Sequence, residues 1–110
     1  MNLSGSIERM KKFEDKLGIT FNALSVYVDD SPDEEGEYSY KVSGEIVSEE
    51  DEVEHSIDII VVFYDSSGSI IDADEKFIME EDFMGFDILS LSGFLRSNDV
   101  DKVKIFPKKA

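Results

Sequence analysis

Residues 57–71 read IDIIVVFYDSSGSII: an apolar segment, a five-residue polar break and the start of a second apolar segment. The first segment extends an alternation that begins at Val53 and becomes apolar at every position by 59–63. This change is typical of a strand that is central in its sheet and covered on both faces toward its end. The polar break contains Gly68, which can adopt positive φ, so the stretch predicts a tight hairpin.

The rest of the chain after Gly18 also follows a period of two. The further predicted strands are 19–28, 38–46, 70–79, 83–89 and 103–105, the last ended by Pro107. Within 19–28 the alternation changes phase at Ala23 and Leu24, which predicts a β-bulge or a strand crossover. Gly44 lies on the apolar face of its strand, where a neighbouring backbone is expected to come close. Residues 91–100 have no regular pattern and are expected to be irregular.

The N-terminal residues have a helical period instead. Four apolar side chains three or four positions apart form one stripe of a short helix over 7–17: Ile7, Met10, Phe13 and Leu17. Ser6 is placed to cap the start of this helix, and Gly18 to end it in a left-handed conformation. We therefore expect a helical segment over 1–18, followed by a β domain over 19–107.

One short helix followed by six or seven strands predicts an all-β chain. The expected fold is an immunoglobulin-like antiparallel β-sandwich with one N-terminal helix. The alternative is an α+β fold, in which the helix packs on an antiparallel sheet. The 110 residues fit one domain and leave no room for a second.

Residues 40–105 contain four segments that resemble the FxLYD-type domains, small immunoglobulin-like sandwiches of bacterial and archaeal proteins. The segments are 42–46 (VSGEI), 57–65 (IDIIVVFYD), 68–72 (GSIID) and 103–105 (VKI). The resemblance implies a strand, a long central strand ending in Tyr-Asp, a tight hairpin and a final strand. Domains of this family are mainly uncharacterised or act as extracytoplasmic binding modules. The chain departs from the family at Val61 and Phe63, where the family has its defining Phe and Leu, and at 80–82, where the family often has Pro-Gly.

Acidic residues dominate the charge of the chain. Its 26 Asp and Glu outnumber 11 Lys and Arg, for a formal net charge of −15. Eight of the basic residues lie in 7–16 and 102–109, so the residues between these segments carry close to −20. This charge repels nucleic-acid phosphates and anionic lipids, and it favours basic protein surfaces. We expect a basic protein partner, and neither nucleic acid nor a membrane.

The residue inventory argues against catalysis. The absence of cysteine excludes a disulfide scaffold, a thiolate zinc site and a cysteine nucleophile. His55 is the only histidine, so neither a histidine metal site nor a Ser-His-Asp triad can form. His55 is expected to be structural or partly exposed. The sequence predicts a protein that is not an enzyme and needs no cofactor.

The location of the protein is predicted from its N-terminus. Charged residues interrupt 1–17 every few positions, so no signal peptide is expected, and no apolar run has membrane-spanning length. The expected compartment is the cytoplasm. An extracytoplasmic location is expected instead if a leader or anchor has been removed.

Acidic loops offer a candidate metal site. Connections in a sandwich alternate between its two ends, so the 29–35 loop is expected to share an end with Asp65, Asp99 and Asp101. Residues 49–52 are expected to meet 80–82 at the other end. Ca²⁺ takes about six to eight hard oxygen ligands, which makes these the candidates: Asp29, Asp30, Asp33 and Asp65. The competing interpretation is solvated turns, because the chain has no Asp-x-Asp-x-Asp-Gly loop.

The favoured function is a non-enzymatic protein-interaction module that binds through an acidic surface or an exposed sheet edge. A calcium-responsive binding domain with acidic loops is the first alternative. An acidic inhibitor that mimics nucleic acid against a basic enzyme is the second.

Overall fold

The computed structural model describes residues 1–50 and 53–110. Seven strands form two sheets, which confirms the predicted all-β sandwich with a short helix. The strands are β1 (Ile7–Arg9), β2 (Ile19–Val28), β3 (Tyr38–Ser48), β4 (Ile57–Tyr64), β5 (Ile70–Ile78), β6 (Phe86–Leu95) and β7 (Lys102–Lys109). The helix α1 (Lys11–Leu17) lies between β1 and β2 in the chain, and two 3-10 turns occupy Ser4–Ser6 and Glu80–Asp82.

The strand order corresponds to an immunoglobulin-type arrangement in which one strand is replaced by another. One sheet has the order β1-β7-β4-β5 and the other β2-β3-β6. In immunoglobulin nomenclature, β2 to β7 take positions A, B, C, C′, E and F. The place beside F belongs to strand G in that fold, and here β1 fills it, parallel to β7. The first strand of the chain therefore pairs with the last.

The core lies between the two sheets and is built mainly from alternate residues of each strand. Its largest fully buried side chains include Phe21, Phe63 and Phe83. The strand β4 is central in its sheet, as predicted, and Val62 is buried on the opposite face from Phe63. Burial of each such side chain contributes roughly 1.5–3 kcal/mol.

The irregularity predicted in β2 is confirmed, and it is a β-bulge rather than a strand crossover. The pairing of β2 with β3 shifts between Asn22 and Ser25, and Ala23 has a φ of 54°. Gly44 faces this irregularity across the pair. A Cβ atom at Gly44 would lie 2.8 Å from Leu24 Cδ2 and 3.3 Å from the carbonyl oxygen of Asn22. The bulge therefore leaves little room for a side chain at position 44, in agreement with the expected close approach.

The predicted helix over 7–17 is wrong in its first turn. Residues 7–9 form β1, because backbone pairing with β7 satisfies their polar groups. The helix begins only after Met10 and has no side-chain cap, while Ser6 lies in a 3-10 turn. Gly18 ends the helix with a φ of 66°, as predicted. Residues 1–18 thus supply a strand to the sandwich. None of the helices in the described residues is long and apolar enough to cross a membrane.

The prediction that 91–100 is irregular is wrong for its first half. The strand β6 continues to Leu95, and each of its residues has a partner in β3. Ser90, Ser92 and Gly93 weaken the apolar alternation in the sequence. Gly93 is required by packing, since a Cβ there would lie 2.7 Å from the hydroxyl oxygen of Tyr40.

Other strand boundaries also differ from the prediction. The strand β3 ends at Ser48 rather than Ile46, and β6 begins at Phe86 rather than Phe83. The strand β4 begins at Ile57 rather than Val53. The strand β7 continues through Pro107 to Lys109. Because β1 ends opposite Ile105, β7 has a neighbouring strand on one side only at Pro107, where a proline is tolerated.

Candidate interaction surface

In the part of the chain that the structure describes, the sandwich has four edge strands: β1 and β5 in one sheet, and β2 and β6 in the other. An open edge presents unpaired N–H and C=O groups that can pair with another chain. Natural proteins protect such edges with covering segments, charges or very short strands. The four edges of this protein differ sharply in that protection.

The N-terminal residues cover one end of the β2 edge. The Met1 amino group donates to the Val28 carbonyl at 2.8 Å, and the Val28 N–H donates to the Met1 carbonyl at 3.0 Å. The Leu3 N–H donates to the Val26 carbonyl at 2.8 Å. These bonds satisfy the backbone of β2 from 26 to 28.

The β1 edge is short and is followed directly by α1. Phe13 of the helix packs on Phe106 of β7, with ring centroids 5.5 Å apart. Glu14 is only 3% exposed and accepts two hydrogen bonds from Arg9, at 2.6 Å from Nη2 and 3.1 Å from Nε. Arg9 also donates to the Thr20 hydroxyl of β2, so this ion pair closes the sandwich on its β1–β2 side. The bond to Glu14 raises the pKa of Arg9.

The β5 edge is protected by charge. Its nine residues read IIDADEKFI, and four of the five positions from 72 to 76 are charged: Asp72, Asp74, Glu75 and Lys76. An approaching strand would have to desolvate these groups, which makes pairing at β5 unfavourable.

The β6 edge, defined as residues Phe86–Leu95 on the side away from β3, is long, is not covered by any described segment and has little charge. Its ten residues read FDILSLSGFL and contain one charged residue, Asp87. Among the described residues, β6 pairs with β3 alone. Phe86, Ile88 and Phe94 point away from the core and are 52%, 50% and 55% exposed. A long, apolar and open edge of this kind is a site for strand pairing with another chain.

The inward side of the β6 edge faces acidic residues of β5. Lys76 and Asp87 form an ion pair of 3.9 Å that joins the two edge strands. The Tyr40 hydroxyl donates to Asp74 at 2.6 Å, and Asp72 precedes Asp74 by two positions on the same face. Burial, together with the hydrogen bond to Asp74, raises the pKa of Tyr40.

The loops predicted to share an end do meet. The Ser66 hydroxyl donates to Asp99 at 2.8 Å, and the Asn98 amide donates to the Asp30 carbonyl at 3.3 Å. The Asp101 N–H donates to the Tyr64 carbonyl at 2.9 Å. These bonds connect the 29–35 loop, the β4–β5 hairpin and the segment before β7.

The four calcium candidates each have a local partner. Asp29 accepts a hydrogen bond from the Ser39 hydroxyl, and Asp30 lies 3.3 Å from the N-terminal amino group. Asp33 accepts the backbone N–H groups of 35 and 37, which closes its own loop. Asp65 accepts the N–H groups of 67 and 69, also within its own turn. In residues 1–50 and 53–110, no three His, Cys, Asp or Glu side chains converge in a metal-binding arrangement.

The hydrogen bonds at Asp65 shift its titration. The Ser67 hydroxyl donates to the carboxylate at 2.6 Å, and the Ser69 and Ser67 N–H groups donate at 3.0 Å and 2.9 Å. These donors favour the charged form and hold the pKa of Asp65 below its usual value of 3.8.

The other end of the sandwich holds the remaining acidic turns. The Ser48 N–H donates to the Gly85 carbonyl at 2.9 Å, which brings the end of β3 next to the 80–82 turn. The predicted meeting of 49–52 with 80–82 falls partly on 51 and 52, which lie outside the described residues. A cleft of about 350 Å³ at this end is lined by residues that include Lys16, Glu50 and His55. His55 is half-exposed, which confirms the expectation for it.

The two basic segments of the sequence come together in the fold. The elements β1, α1 and β7 are neighbours, and residues 7–17 and 102–109 hold eight Lys and Arg against three Asp and Glu. This side of the sandwich thus carries +5, and the rest of the chain −20. The β6 edge belongs to the acidic part.

The sequence does not reveal that the apolar residues of β6 lie on an open edge, because the place of a strand in its sheet depends on the topology. A local signal was present in the sequence: Phe86 and Ile88 lie on the outward face of a strand that has a single charged residue. No family model, curated protein or solved structure matches this chain. The resemblance to FxLYD-type domains therefore stays a prediction from the segments quoted above.

Proposed function

We propose that this chain is a non-enzymatic protein-interaction module that binds an extended segment of another protein at the β6 edge. One observation carries the proposal: β6 is a ten-residue edge strand with a single charged residue and three half-exposed apolar side chains. The β1 edge is short, the β5 edge is charged, and the β2 edge is covered at 26–28 and interrupted by the bulge at Ala23, which leaves β6 as the longest regular open edge.

Strand addition would use both the backbone and the side chains of β6. The N–H and C=O groups on its open side supply hydrogen bonds that do not depend on the sequence of the partner. The side chains of Phe86, Ile88 and Phe94 supply apolar area, at roughly 25 cal/mol for each Å² that the partner covers. The negative charge of the surrounding surface favours a basic partner.

Capture experiments with matched variants test this proposal. Phe86→Ser and Phe94→Ser remove apolar contacts from the β6 edge without touching the core. Phe77→Ser is the control, because Phe77 is 57% exposed on the other edge strand of the same side, β5. Proteins retained by the wild-type chain from a lysate of its source would be identified by mass spectrometry.

We expect a specific protein to be retained by the wild type and by Phe77→Ser, and lost with Phe86→Ser and Phe94→Ser. Amide hydrogen exchange of the complex should show slower exchange in β6. Retention that is equal in all four proteins, or exchange protection confined to other strands, would reject the β6 edge as the binding site.

A further inference from the structure

The chemistry around the β6 edge specifies what kind of segment fits it. Building on the proposed strand addition, we propose that the bound segment alternates apolar and basic residues. Its apolar side chains lie outward beside Phe86, Ile88 and Phe94, and its Lys or Arg side chains lie inward toward Asp72, Asp74 and Asp87. The occupant is an extended basic stretch of a partner protein about eight to ten residues long, since Phe86 and Phe94 lie roughly 26 Å apart at about 3.3 Å per residue.

The outward face of the edge is apolar at both ends. The outward positions of β6 are Phe86, Ile88, Ser90, Ser92 and Phe94, given by their partners in β3. Side chains of an added strand on this face would lie within about 5.5 Å of them. Apolar residues there bury the exposed rings, and the two central serines accept small or polar residues.

The inward face of the edge is acidic. Asp87 points inward from β6, and Asp72 and Asp74 point inward from β5, as their pairing with the buried residues Phe63 and Val61 shows. Lys76 is the single basic residue of β5 and is already paired with Asp87. Burial and the hydrogen bond to Asp74 are the main causes of the raised pKa of Tyr40, and the charges of Asp74 and Asp72 add to it.

Distance and desolvation select Lys or Arg for the inward positions. Packed sheets lie about 10 Å apart, so a strand added to β6 needs long side chains to reach the carboxylates of β5. An apolar side chain in that place would remove water from Asp72 and Asp74 without giving them a partner, which is unfavourable. An acidic side chain would add repulsion.

Charge also argues against a second copy of this chain as the occupant. Two β6 edges paired with each other would place Asp87 of both copies on the inward face of one continuous sheet, with Asp72 and Asp74 of both β5 strands facing it. Each copy carries a net charge of −15, which adds further repulsion. A foreign basic strand relieves the repulsion that a second copy would increase.

Three blocked ten-residue peptides test the inference on the intact protein. The first alternates Val and Lys, the second alternates Val and Glu, and the third has the composition of the first with five Val followed by five Lys. The dissociation constant would be measured for each by calorimetry, and the binding site by amide hydrogen exchange. We expect the first peptide to slow exchange in β6 and to bind at least about ten-fold more tightly than the others.

Matched charge variants test which carboxylates are responsible. Asp72→Asn with Asp87→Asn removes two carboxylates beside the edge, and Glu34→Gln with Glu35→Gln removes two from an exposed loop elsewhere. The first pair should weaken the Val-Lys peptide by about ten-fold, and the second pair by less than about two-fold.

The possible failures separate this inference from the proposed function. If the Val-Glu or the block peptide protects β6 as well as the Val-Lys peptide does, strand addition stands and the charge pattern is wrong. If no peptide protects β6, the inference is rejected. The capture variants described above then still decide whether the β6 edge is the binding site. If the Val-Lys peptide protects only other strands, both are rejected.

Discussion

The Tyr40 hydroxyl donates a hydrogen bond of 2.6 Å to Asp74 Oδ2 and so joins β3 of one sheet to β5 of the other. The Tyr40 ring also packs against Phe63, with centroids 4.8 Å apart, and covers Gly93. A polar contact therefore holds the sandwich together on the side where β5 and β6 are the edges.

Tyr40→Phe removes this contact while keeping the ring. We expect the free energy of unfolding to fall by about 1 kcal/mol, because Asp74 loses its donor. The melting temperature of a domain of this size should fall by about 4 °C. Tyr27→Phe is the control, since Tyr27 is exposed on the outer face of β2. Thermal melts of the two variants give the comparison, and equal melting temperatures would show that the bond contributes nothing.

The raised pKa of Tyr40 predicts a loss of stability in alkali. The pKa is raised by burial and then by the bond to Asp74, so the folded state keeps its proton when the unfolded chain loses it at the ordinary value of 10. The folded state binds more protons above that pH, and its stability therefore decreases as pH rises. Urea unfolding from about pH 8 to about pH 11 measures the slope, which should be smaller in Tyr40→Phe. An unchanged slope would assign the effect to other groups.

The ion pair between Arg9 and the buried Glu14 predicts that the stability of the fold depends strongly on Arg9. Arg9→Met leaves the carboxylate of Glu14 buried without its cation. Because Arg9 is 36% exposed, we expect a loss of about 2 kcal/mol, less than for a fully buried pair. Arg9→Met combined with Glu14→Leu should recover most of the loss. A double-mutant cycle by urea unfolding measures the coupling, and additive losses would contradict it.

The lowered pKa of Asp65 predicts a loss of stability in acid. The Ser67 hydroxyl is the main cause, and the Ser69 N–H follows. The stabilisation is fully present above the usual value of 3.8 and is lost as pH falls below it through the folded pKa. Asp65→Asn keeps an oxygen that accepts these hydrogen bonds but does not titrate. Melting temperatures from about pH 6 to about pH 2 should fall less steeply in this variant, and an identical profile would exclude Asp65 as a cause.

The sequence predicts the parts of this fold that depend on near neighbours. The β4–β5 hairpin, the bulge at Ala23 and the helix end at Gly18 all follow from local alternation or glycine chemistry. The strand β1 does not, because Ile7 pairs with Val103, and the same residue fits a helical stripe equally well. Only the distant partner decides between the two.

The features of the candidate site are likewise predictable from the sequence only where they depend on local pattern or on the order of the strands. The meeting of the 29–35 loop with the β4–β5 hairpin follows from the alternation of connections between the two ends. The open β6 edge does not follow, because it depends on which strand has no neighbour. The serines and Gly93 of β6 also hide the strand in the sequence, whereas in the structure Gly93 makes room for Tyr40.

The position of β7 between β1 and β4 has a consequence for synthesis. Both of these strands need β7 as their partner, yet the ribosome makes β7 after all the other strands. At about 5–20 residues per second, the growing chain spends several seconds with β4 exposed along one side. A nascent chain stopped before Lys102 is therefore expected to be a substrate for chaperones rather than a folded sandwich.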